Sequence, residues 1–431
     1  MQQLRIKRAQ ALKGRITVPG DKSISHRAIM FGAIASGRSV IHNLLAGEDC
    51  LNTKKAFQRL GIKFARRGKA LIVYGRGLRG LRPAKAPIDC GNSGTTMRLL
   101  SGILAGQEFR SVLTGDQYLR RRPMKRIIAP LTLMGAKIKA VKGEFAPLII
   151  DGGDLQGISY RSPLASAQVK SCVLLAGLYS QGRTSVREPQ PSRDHTERML
   201  KYLGARLQTG KLSATVTGGS RLKGKKITVP GDISSAAFFI VAACLVPGSN
   251  LTITGVGINP TRNGLIQVLK KMGASIQIKN KRFFGNEPVA DLNIKYSRLR
   301  GINVRGRIIP NIIDEIPVLT VAAALASGRT VISEARELRV KETDRIRSMA
   351  SQLGKMGAVI KEKEDGLIIE GIKELKGAKV NSFGDHRTAM SLAIAGMLAD
   401  GSTTINDTSC INTSFPGFLS LLNKLTKGDR A

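Results

Sequence analysis

A six-residue phrase, ITVPGD, occurs twice in the chain, at residues 16–21 and again at 227–232, and both copies lead into an apolar segment. Two copies of one phrase separated by about 200 residues predict two related halves. The first copy continues KSISHR and carries Lys22, His26 and Arg27, whereas the second continues ISSAAF and carries no charge. The features that the copies share should therefore concern folding, and those that differ are candidates for chemistry.

Smaller repeats divide each half further. The length of 431 residues fits two domains of about 200 residues each. An apolar helix that stops at glycine before a β-branched strand recurs at Gly37, Gly106, Gly182, Gly248, Gly328 and Gly401. Between these stops a second helix ends on a glycine of the kind that closes a helix in the left-handed conformation, at Gly61, Gly135, Gly204, Gly273 and Gly357.

Six units of this kind, three in each half, predict an α/β fold made of two αβ domains. Because the chain should cross between the halves at the two ITVPGD phrases, we place one domain at 22–229. The second domain is predicted to combine 1–21 with 230–431.

The composition is globular but strongly basic, with 42% hydrophobic residues and a formal net charge of +39. Lysine and arginine are spread over the whole length without a basic tail, tryptophan is absent, and no nucleic-acid-binding signature occurs. This distribution favours a solvated basic surface over a nucleic-acid interface, and it suits small anionic substrates. We therefore expect no nucleic-acid partner.

The remaining compositional features exclude several classes of protein. No apolar run approaches the roughly 18 residues of a membrane span, and the first residues lack the apolar core of a secretory signal. Five scattered cysteines and four scattered histidines form no zinc-binding cluster. The sequence thus predicts a cytoplasmic protein with free thiols, no membrane association, no metal and no cofactor.

Lysine and arginine recur at the starts of the predicted helices, the end at which a helix carries a partial positive charge. Each such cation is unfavourable by roughly a few tenths of a kcal/mol unless an anion completes the site. The starts are DKSISHR with Lys22 and Arg27, GNSGTTMR with Asn92 and Arg98, RRRPMKR with Arg122, LASAQVK with Ser166 and Gln168, PSRDHTER with Ser192 and Arg193, DEIP with Asp314 and Glu315, RVKETDR with Lys341, Glu342 and Arg345, and GDHRTAM with His386 and Arg387.

Taken singly, these helix starts have ordinary alternatives. Residues 91–96 are typical of a phosphate-binding loop but equally of a capped helix start. Residues 341–345 are also typical of an exposed helix face with alternating charge, and Asp314 and Glu315 are also typical of acidic N-capping. Their occurrence together favours anion binding over solvated helix ends.

Five of these motifs together closely resemble the 5-enolpyruvylshikimate-3-phosphate synthase family. They are GDKSISHR at 20–27, GNSGTTMR at 91–98, RPM at 122–124, RVKETDR at 339–345 and GDHR at 384–387. The resemblance extends from about residue 10 to residue 420, with the motifs in order and in both halves. It implies the two-domain enolpyruvyl transferase fold, built from six βαβαββ units whose helix N-termini face an interdomain cleft.

The resemblance also implies the reaction. The carboxyvinyl group of phosphoenolpyruvate is transferred to the 5-hydroxyl of shikimate 3-phosphate, and phosphate is released, as one step of the shikimate pathway to aromatic amino acids. Both substrates carry several negative charges, which converging helix N-termini and arginines would bind. A monomer is expected, with glyphosate as a candidate inhibitor.

The resemblance assigns roles to individual residues. Lys22 is implied to contact both substrates. Shikimate 3-phosphate is implied to bind Ser23, Arg27, Ser166, Ala167, Gln168, Ser192, Arg193, Asp314 and Lys341 as well. Phosphoenolpyruvate is implied to bind Asn92, Gly94, Arg122, Gln168, Arg345 and Arg387.

The chemistry calls for two proton-transfer groups, because the hydroxyl loses a proton as it attacks C2 while C3 gains one. Elimination then reverses both transfers. Our candidates are Asp314 as the base at the hydroxyl and Glu342 as the acid, and later the base, at C3. Lys22 and Lys341 would stabilise charge, and neither step needs redox chemistry or a metal.

Two positions depart from the better-known branch of the family. Leu99 follows the GNSGTTMR arginine where that branch has proline, and Thr413 occupies the place of a lysine before the C-terminal Phe-Pro. Both variants resemble the family's second branch, so we interpret them as lineage rather than loss of function. Gly94 and Leu99 point in opposite directions on glyphosate sensitivity, which the sequence leaves open.

Two alternative functions remain open at this point. The first is another enolpyruvyl transferase, with UDP-N-acetylglucosamine as acceptor, which uses a cysteine or aspartate acid just before the arginine of the phosphoenolpyruvate site. Residues 114–123 contain no cysteine, and Asp116 lies too far before Arg122 to match that position. The second is a polyanion-binding protein on the same fold, which would explain the charge but would not require Asp314 and Glu342.

Overall fold

The computed structural model describes residues 2–427. Its α-helices are α1 Lys22–Ile34, α2 Glu48–Arg59, α3 Gly94–Ala105, α4 Gln117–Arg120, α5 Lys125–Leu133, α6 Ala167–Gly177, α7 His195–Leu203, α8 Ile233–Leu245, α9 Gly264–Lys271, α10 Ile309–Ile312, α11 Ile316–Ala324, α12 Arg345–Lys355, α13 His386–Leu398 and α14 Phe418–Lys427. Short 3₁₀ turns occupy Gly306–Ile308, Arg336–Val340 and Ser409–Thr413.

The strands are short and numerous. In chain order they are β1 Leu4–Lys7, β2 Lys13–Thr17, β3 Ser36–His42, β4 Lys63–Arg67, β5 Ala70–Arg76, β6 Ile88–Asp89, β7 Arg110–Thr114, β8 Lys137–Val141, β9 Phe145–Asp151, β10 Ser159–Arg161, β11 Arg183–Arg187, β12 Leu207–Thr209, β13 Ser213–Thr217, β14 Lys226–Thr228, β15 Asn250–Gly257, β16 Ser275–Phe284, β17 Glu287–Lys295, β18 Asn303–Val304, β19 Arg329–Ile332, β20 Val359–Lys363, β21 Gly366–Glu370, β22 Leu375–Lys376, β23 Lys379–Asn381, β24 Ala399–Asp400 and β25 Ser402–Asn406.

The chain divides into two compact units. Gly20–Pro230 and Phe283–Glu287 form the first, called here the N-terminal unit, and the segment through Pro19, Gly231–Arg282 and the chain from Pro288 onward form the C-terminal unit. The divisions next to the ITVPGD phrases lie within two residues of the predicted boundaries. The segment 283–287, at the tip of the β16–β17 hairpin, groups with the N-terminal unit, which the sequence analysis did not predict.

Five four-stranded sheets repeat one topology. A strand pairs in parallel with the strand that follows a buried helix, and two further strands complete the sheet in antiparallel fashion. The orders are β14-β3-β5-β4, β6-β7-β9-β8 and β10-β11-β13-β12 in the N-terminal unit, and β2-β15-β17-β16 and β18-β19-β21-β20 in the C-terminal unit. The sixth repeat departs from this pattern, because its strands form a three-stranded sheet β1-β25-β23 and a separate pair β22-β24.

The two ITVPGD strands are exchanged between the halves. The strand of the first phrase, β2, pairs in parallel with β15 of the C-terminal unit, with Ile16 opposite Ile253. The strand of the second phrase, β14, pairs with β3 of the N-terminal unit, with Ile227 opposite Ile41. Each phrase therefore completes a sheet in one unit before the chain begins a helix of the other.

Three central helices form the core of each unit. They are α1, α3 and α6 in the N-terminal unit and α8, α11 and α13 in the C-terminal unit, and nearly every residue of each is buried. Gly102 lets α3 approach α6 closely, because a Cβ there would lie 2.2 Å from the carbonyl oxygen of Cys172. Four phenylalanines, Phe238, Phe239, Phe415 and Phe418, cluster in the core of the C-terminal unit.

The predicted glycine stops explain where many helices end. Gly61, Gly135, Gly204, Gly273 and Gly357 all have positive φ, as predicted for left-handed helix ends. Of the other set, Gly106 closes α3 with φ −92° and so needs no left-handed conformation. Within residues 2–427, none of the helices has the length and apolar character required to cross a bilayer.

Candidate active site

The start of α1 places a partly exposed lysine beside buried polar groups. Asp21 caps the helix by accepting a hydrogen bond from the backbone N–H of Ile24 at 2.8 Å. The ammonium of Lys22 lies 3.2 Å from Asp49 Oδ2, and its side chain is 23% exposed. An accessible cation at a capped helix N-terminus is an arrangement that attracts anions.

Arg27, one turn along α1, points into the protein. Its guanidinium donates to Thr196 Oγ1 at 2.7 Å, to Ser171 Oγ at 2.9 Å and to the carbonyl of Ser23 at 2.9 Å. Burial lowers the pKa of Arg27 to about 10, although nearby Glu197 opposes this effect. Arg27 therefore stays charged at neutral pH and holds the α1 start against α6 and α7.

The start of α3 brings two arginines next to a glycine. A Cβ at Gly94 would lie 2.8 Å from Arg98 Nη1 and 3.6 Å from Arg122 Nη1. Arg122 donates to Asn92 Oδ1 at 2.7 Å, and the Asn92 amide donates to Asp116 Oδ2 at 2.8 Å. The small residue thus leaves room for two guanidinium groups at a helix N-terminus, which suits a phosphate or carboxylate.

The starts of α3 and α6 are joined by one glutamine. Gln168 Oε1 accepts from Arg98 Nη1 at 2.6 Å, and Gln168 Nε2 donates to Thr95 Oγ1 at 3.1 Å. Ser166 caps α6 and Ala167 is its first residue, half-buried. Residues predicted to bind shikimate 3-phosphate and residues predicted to bind phosphoenolpyruvate therefore lie at these two connected helix starts.

A buried carboxylate orders the two serines predicted to bind shikimate 3-phosphate. Glu188 Oε1 accepts from the backbone N–H of Ser166 at 2.9 Å, and Glu188 Oε2 accepts from Ser192 Oγ at 2.8 Å. Lys170 bridges Glu188 at 2.9 Å and Glu197 at 2.8 Å, with all three side chains buried. Burial alone would lower the pKa of Lys170, but Glu197 and Glu188 outweigh it and raise the pKa.

In the C-terminal unit a single arginine joins the two predicted proton-transfer carboxylates. Arg345 Nη1 lies 3.4 Å from Asp314 Oδ1, and Arg345 Nη2 lies 2.6 Å from Glu342 Oε2. Its Nε donates to Asp385 Oδ2 at 2.8 Å. Burial would lower the pKa of Arg345, but Asp385, Glu342 and Asp314 raise it further above its usual range. The guanidinium therefore remains a fixed positive charge between Asp314 and Glu342.

The other predicted residues of this unit have different partners. Lys341 Nζ lies 2.6 Å from Glu337 Oε1, one turn back in the chain. Arg387 is in the first turn of α13, which Asp385 caps, and its Nη1 lies 3.9 Å from Glu315 Oε1. Glu315 also accepts from Ser234 Oγ and lies 3.4 Å from Arg262 Nη2.

The structure groups the predicted residues by unit. Lys22, Ser23, Arg27, Asn92, Gly94, Arg122, Ser166, Ala167, Gln168, Ser192 and Arg193 belong to the N-terminal unit, and Asp314, Lys341, Glu342, Arg345 and Arg387 belong to the C-terminal unit. Most lie at or next to a helix start. Sequence reasoning did not single out Lys170, Glu188, Ser234 or Arg262, which contact the predicted residues from other segments.

The structure describes all five cysteines as free thiols. Residues 2–427 contain no group of three or more His, Cys, Asp or Glu side chains arranged to hold a metal ion. His26 is buried in α1, where its Nδ1 lies 2.6 Å from Thr53 Oγ1.

Comparisons with known proteins cover nearly the whole chain. Residues 6–422 match the profile of a family described as EPSP synthase (3-phosphoshikimate 1-carboxyvinyltransferase). A Geobacter metallireducens protein named 3-phosphoshikimate 1-carboxyvinyltransferase is 55% identical over 426 residues, which cover 99% of each chain. A protein of the same name from Brevibacillus brevis is 53% identical over 425 residues, or 98% of this chain and 100% of the relative.

Solved structures agree with the sequence comparisons. A structure of EPSP synthase from Acinetobacter baumannii superposes with a TM-score of 0.91 at 48% identity, covering 99% of this chain and 98% of that one. The predicted two-domain α/β fold is thereby confirmed.

Proposed function

Because the chain belongs to the EPSP synthase family, we propose that it transfers the carboxyvinyl group of phosphoenolpyruvate to the 5-hydroxyl of shikimate 3-phosphate through the residues described above. The observation that carries the residue assignment is the contact of one buried arginine, Arg345, with both Asp314 and Glu342. Two carboxylates held by one cation are suited to moving two protons on neighbouring atoms of bound substrates.

The N-terminal unit supplies most of the substrate-binding groups. Shikimate 3-phosphate is bound at the starts of α1 and α6, by Lys22, Ser23 and Arg27 and by Ser166, Ala167 and Gln168, with Ser192 and Arg193 alongside. Phosphoenolpyruvate is bound at the start of α3, by Asn92, Gly94 and Arg122. Helix N-termini and arginines are the groups that hold such multiply charged anions.

The C-terminal unit supplies the proton-transfer groups together with Lys341, Arg345 and Arg387. Asp314 accepts the proton of the 5-hydroxyl as its oxygen attacks C2, and Glu342 donates a proton to C3, giving a tetrahedral intermediate with a methyl group. In elimination the methyl group at C3 gives up one of its three protons to Glu342, the bond from C2 to the phosphate oxygen breaks, and Asp314 returns its proton to the departing phosphate. Lys22 and Lys341 stabilise the negative charge in both steps.

The acid role of Glu342 depends on what occupies Arg345. A guanidinium 2.6 Å from the carboxylate favours the ionised form, which cannot donate a proton. When the anionic phosphoenolpyruvate shares Arg345, that contact weakens and the protonated form of Glu342 becomes more accessible. Binding of the substrate would thus prepare the acid.

Three further properties belong to the same proposal. Glyphosate, itself a small anion, is proposed as a ligand of the phosphoenolpyruvate site around Gly94 and Arg122. The five free thiols suit a reducing compartment, and we place the protein in the cytoplasm. We also propose that the chain acts as a monomer.

Phosphate release measured with two acceptors tests the proposal. The purified protein with phosphoenolpyruvate and shikimate 3-phosphate is expected to release phosphate, and replacing the acceptor by UDP-N-acetylglucosamine is expected to abolish release. Phosphate release with UDP-N-acetylglucosamine as acceptor, but not with shikimate 3-phosphate, would identify the protein as the other enolpyruvyl transferase. Lack of release with either acceptor, together with steeply salt-dependent binding of nucleic acid, would favour the polyanion-binding alternative.

A further inference from the structure

Ser234 occupies the place in the second ITVPGD copy that Ser23 occupies in the first, yet its hydroxyl lies between two charged side chains. Ser234 Oγ donates to Glu315 Oε1 and accepts from Arg262 Nη2 at 2.5 Å. The side chain of Glu315 is fully buried and that of Arg262 is 4% exposed. Buried charges persist only when they are paired and hydrogen-bonded. Arg262 and Glu315 therefore form an internal ion pair, bridged by the Ser234 hydroxyl, at the start of α8.

This ion pair extends to two residues of the proposed machinery. Arg262 Nη1 lies 3.8 Å from Asp314 Oδ2, whereas Arg345 Nη1 lies 3.4 Å from Asp314 Oδ1. The Asp314 carboxylate thus lies between two guanidinium groups, each facing a different oxygen.

Glu315, the acidic member of the pair, lies near Arg387, which is proposed to bind phosphoenolpyruvate. Glu315 Oε1 lies 3.9 Å from Arg387 Nη1. Because Glu315 follows Asp314 directly in the chain, a shift of Glu315 would move the base as well as the arginine.

The cost of this arrangement argues against a purely packing role. Glu315 Oε2 has no hydrogen-bond partner among the described protein atoms, and a buried carboxylate oxygen without a partner is unfavourable. An apolar side chain of similar volume at this position would avoid that cost, because replacing a buried ion pair by hydrophobic groups is often neutral or stabilising. What an apolar replacement could not do is keep Arg262 and Arg387 in place.

We propose that Arg262 and Glu315 are positioning residues for Asp314 and Arg387. Arg262, held by Glu315 and Ser234, fixes the orientation of the Asp314 carboxylate that accepts the hydroxyl proton, and Glu315 fixes the guanidinium of Arg387. The inference rests on the proposed function, since it assigns no substrate contact of its own. Misplacement of a reacting group by about 1 Å costs on the order of 100-fold in rate, which sets the size of effect to expect.

The test compares steady-state kinetics and thermal unfolding of the full-length protein in four variants. Arg262→Met removes the charge, Arg262→Lys restores a charge without the second donor, and Ser234→Ala removes the bridging hydroxyl while keeping both charges. Ser235→Ala is the matched control, because Ser235 is buried beside Ser234 and makes none of the described contacts with Glu315 or Arg262.

The proposal predicts a separation of the kinetic constants. For Arg262→Met we expect kcat to fall by about 100-fold because Asp314 is misplaced, and the KM for phosphoenolpyruvate to rise because Glu315 no longer fixes Arg387. Arg262→Lys should recover part of kcat, Ser234→Ala should lower kcat several-fold, and Ser235→Ala should leave it unchanged.

Variants that unfold at lower temperature but keep wild-type kcat and KM values would overturn the proposal and leave Arg262 and Glu315 a structural role. Should Arg262→Met fail to fold, equal kcat in Ser234→Ala and Ser235→Ala would overturn it just as well. A wild-type protein that releases no phosphate would instead refute the proposed function, and the inference with it. The two failures are therefore distinguishable.

Discussion

The N-termini of α1 and α8 both follow the sequence ITVPGD and are both capped by its aspartate, but different side chains lie beside them. Asp21 accepts from the N–H of Ile24 and Asp232 from the N–H of Ser234, both at 2.8 Å. At α1 the next residue is Lys22, partly exposed and paired with Asp49. At α8 the next residue is the buried Ile233, and the nearby charges, Glu315 and Arg262, come from other segments of the same unit.

The difference shows how one local structure serves two purposes. A capped helix N-terminus can present a cation to a ligand, as we propose for Lys22 at α1, or lie against a carboxylate of the protein itself, as at α8. The shared strand, turn and cap concern the fold, whereas the residues that follow the cap decide whether the helix start binds a ligand. Function thus resides in a few side chains placed on a repeated framework.

The sharpest way to break the comparison is to make the α1 start resemble α8. Lys22→Met removes the cation, and we expect kcat/KM to fall by about 1,000-fold, because charge at the reacting centre loses its stabilisation. Thermal stability should hardly change, because a partly exposed ion pair contributes at most about 1 kcal/mol. Steady-state phosphate release and a melting curve measure both effects.

Asp49→Asn is the matched control for Lys22→Met. It removes the same ion pair while leaving the ammonium, and should retain most of the activity. Wild-type kcat/KM in Lys22→Met would contradict the assignment of Lys22.

The equivalent position of the second copy should give the opposite result. Ile233→Ala truncates a buried side chain, and we expect the free energy of unfolding to fall by about 2–4 kcal/mol through lost burial and a residual cavity. The kcat of the folded enzyme should remain close to wild type. Urea unfolding and phosphate release at low temperature provide the two readings, and a loss of kcat as large as that of Lys22→Met would contradict the comparison.

His26 should make the free energy of unfolding depend on pH. The second copy has Ala237 at the equivalent position, which cannot titrate. Burial lowers the pKa of His26 from 6.5 to about 4, although Asp49 opposes the effect. Between pH 4 and pH 6.5 the unfolded chain binds more protons at His26 than the folded protein does. This contribution to stability is therefore complete above pH 6.5 and is lost as the pH falls toward 4. The contribution is at most on the order of 3 kcal/mol.

Comparing unfolding of wild type and His26→Asn at pH 7 and pH 5.5 isolates this effect. The wild type should lose more stability over that interval than the variant, whatever the difference between them at pH 7. Equal losses in the two proteins would show that His26 does not titrate on unfolding as its burial implies.

The smallest effect concerns the buried contacts of Lys170 with Glu188 and Glu197 in the N-terminal unit. Ser166 and Ser192 each donate to one oxygen of Glu188, and Glu188→Gln leaves only one acceptor oxygen for the two. Because both serines are proposed to bind shikimate 3-phosphate, the KM for this substrate should rise about tenfold, or roughly 1.4 kcal/mol. The kcat should change little, and the melting temperature should fall because Lys170 loses a charged partner. An unchanged KM for shikimate 3-phosphate would show that Glu188 does not position Ser166 and Ser192. The control is Glu108→Gln, which removes an exposed ion pair with Arg79.

Much of the fold was predictable because its signals are local. Each glycine stop is a few residues from the helix it closes, and the left-handed φ of Gly61 or Gly357 follows from that position. The sixth repeat was less predictable. Its sheet is completed by β1 from the N-terminal segment, a pairing across about 400 residues that no local pattern indicates.

The site divides in the same way. Lys22, Gly94 and Arg345 were predicted because a cation or a glycine at a helix start is unusual on its own. Glu188 and Arg262 were not, because their contacts join separate segments: Arg262 and Glu315 are 53 residues apart, and Glu188 and Ser166 are 22 apart. Hydrogen bonds of this kind are decided by tertiary packing, which a single sequence does not reveal.

The central claim is that Glu342 and Asp314 move two protons through an intermediate in which C3 of phosphoenolpyruvate becomes a methyl group. Turnover in deuterated water tests it directly, with the vinyl group of the product read by mass spectrometry. The account predicts deuterium at C3 of the product in the wild type and in Ser235→Ala, and loss of turnover in Glu342→Gln. Product formed in deuterated water with no deuterium at C3 would contradict the account.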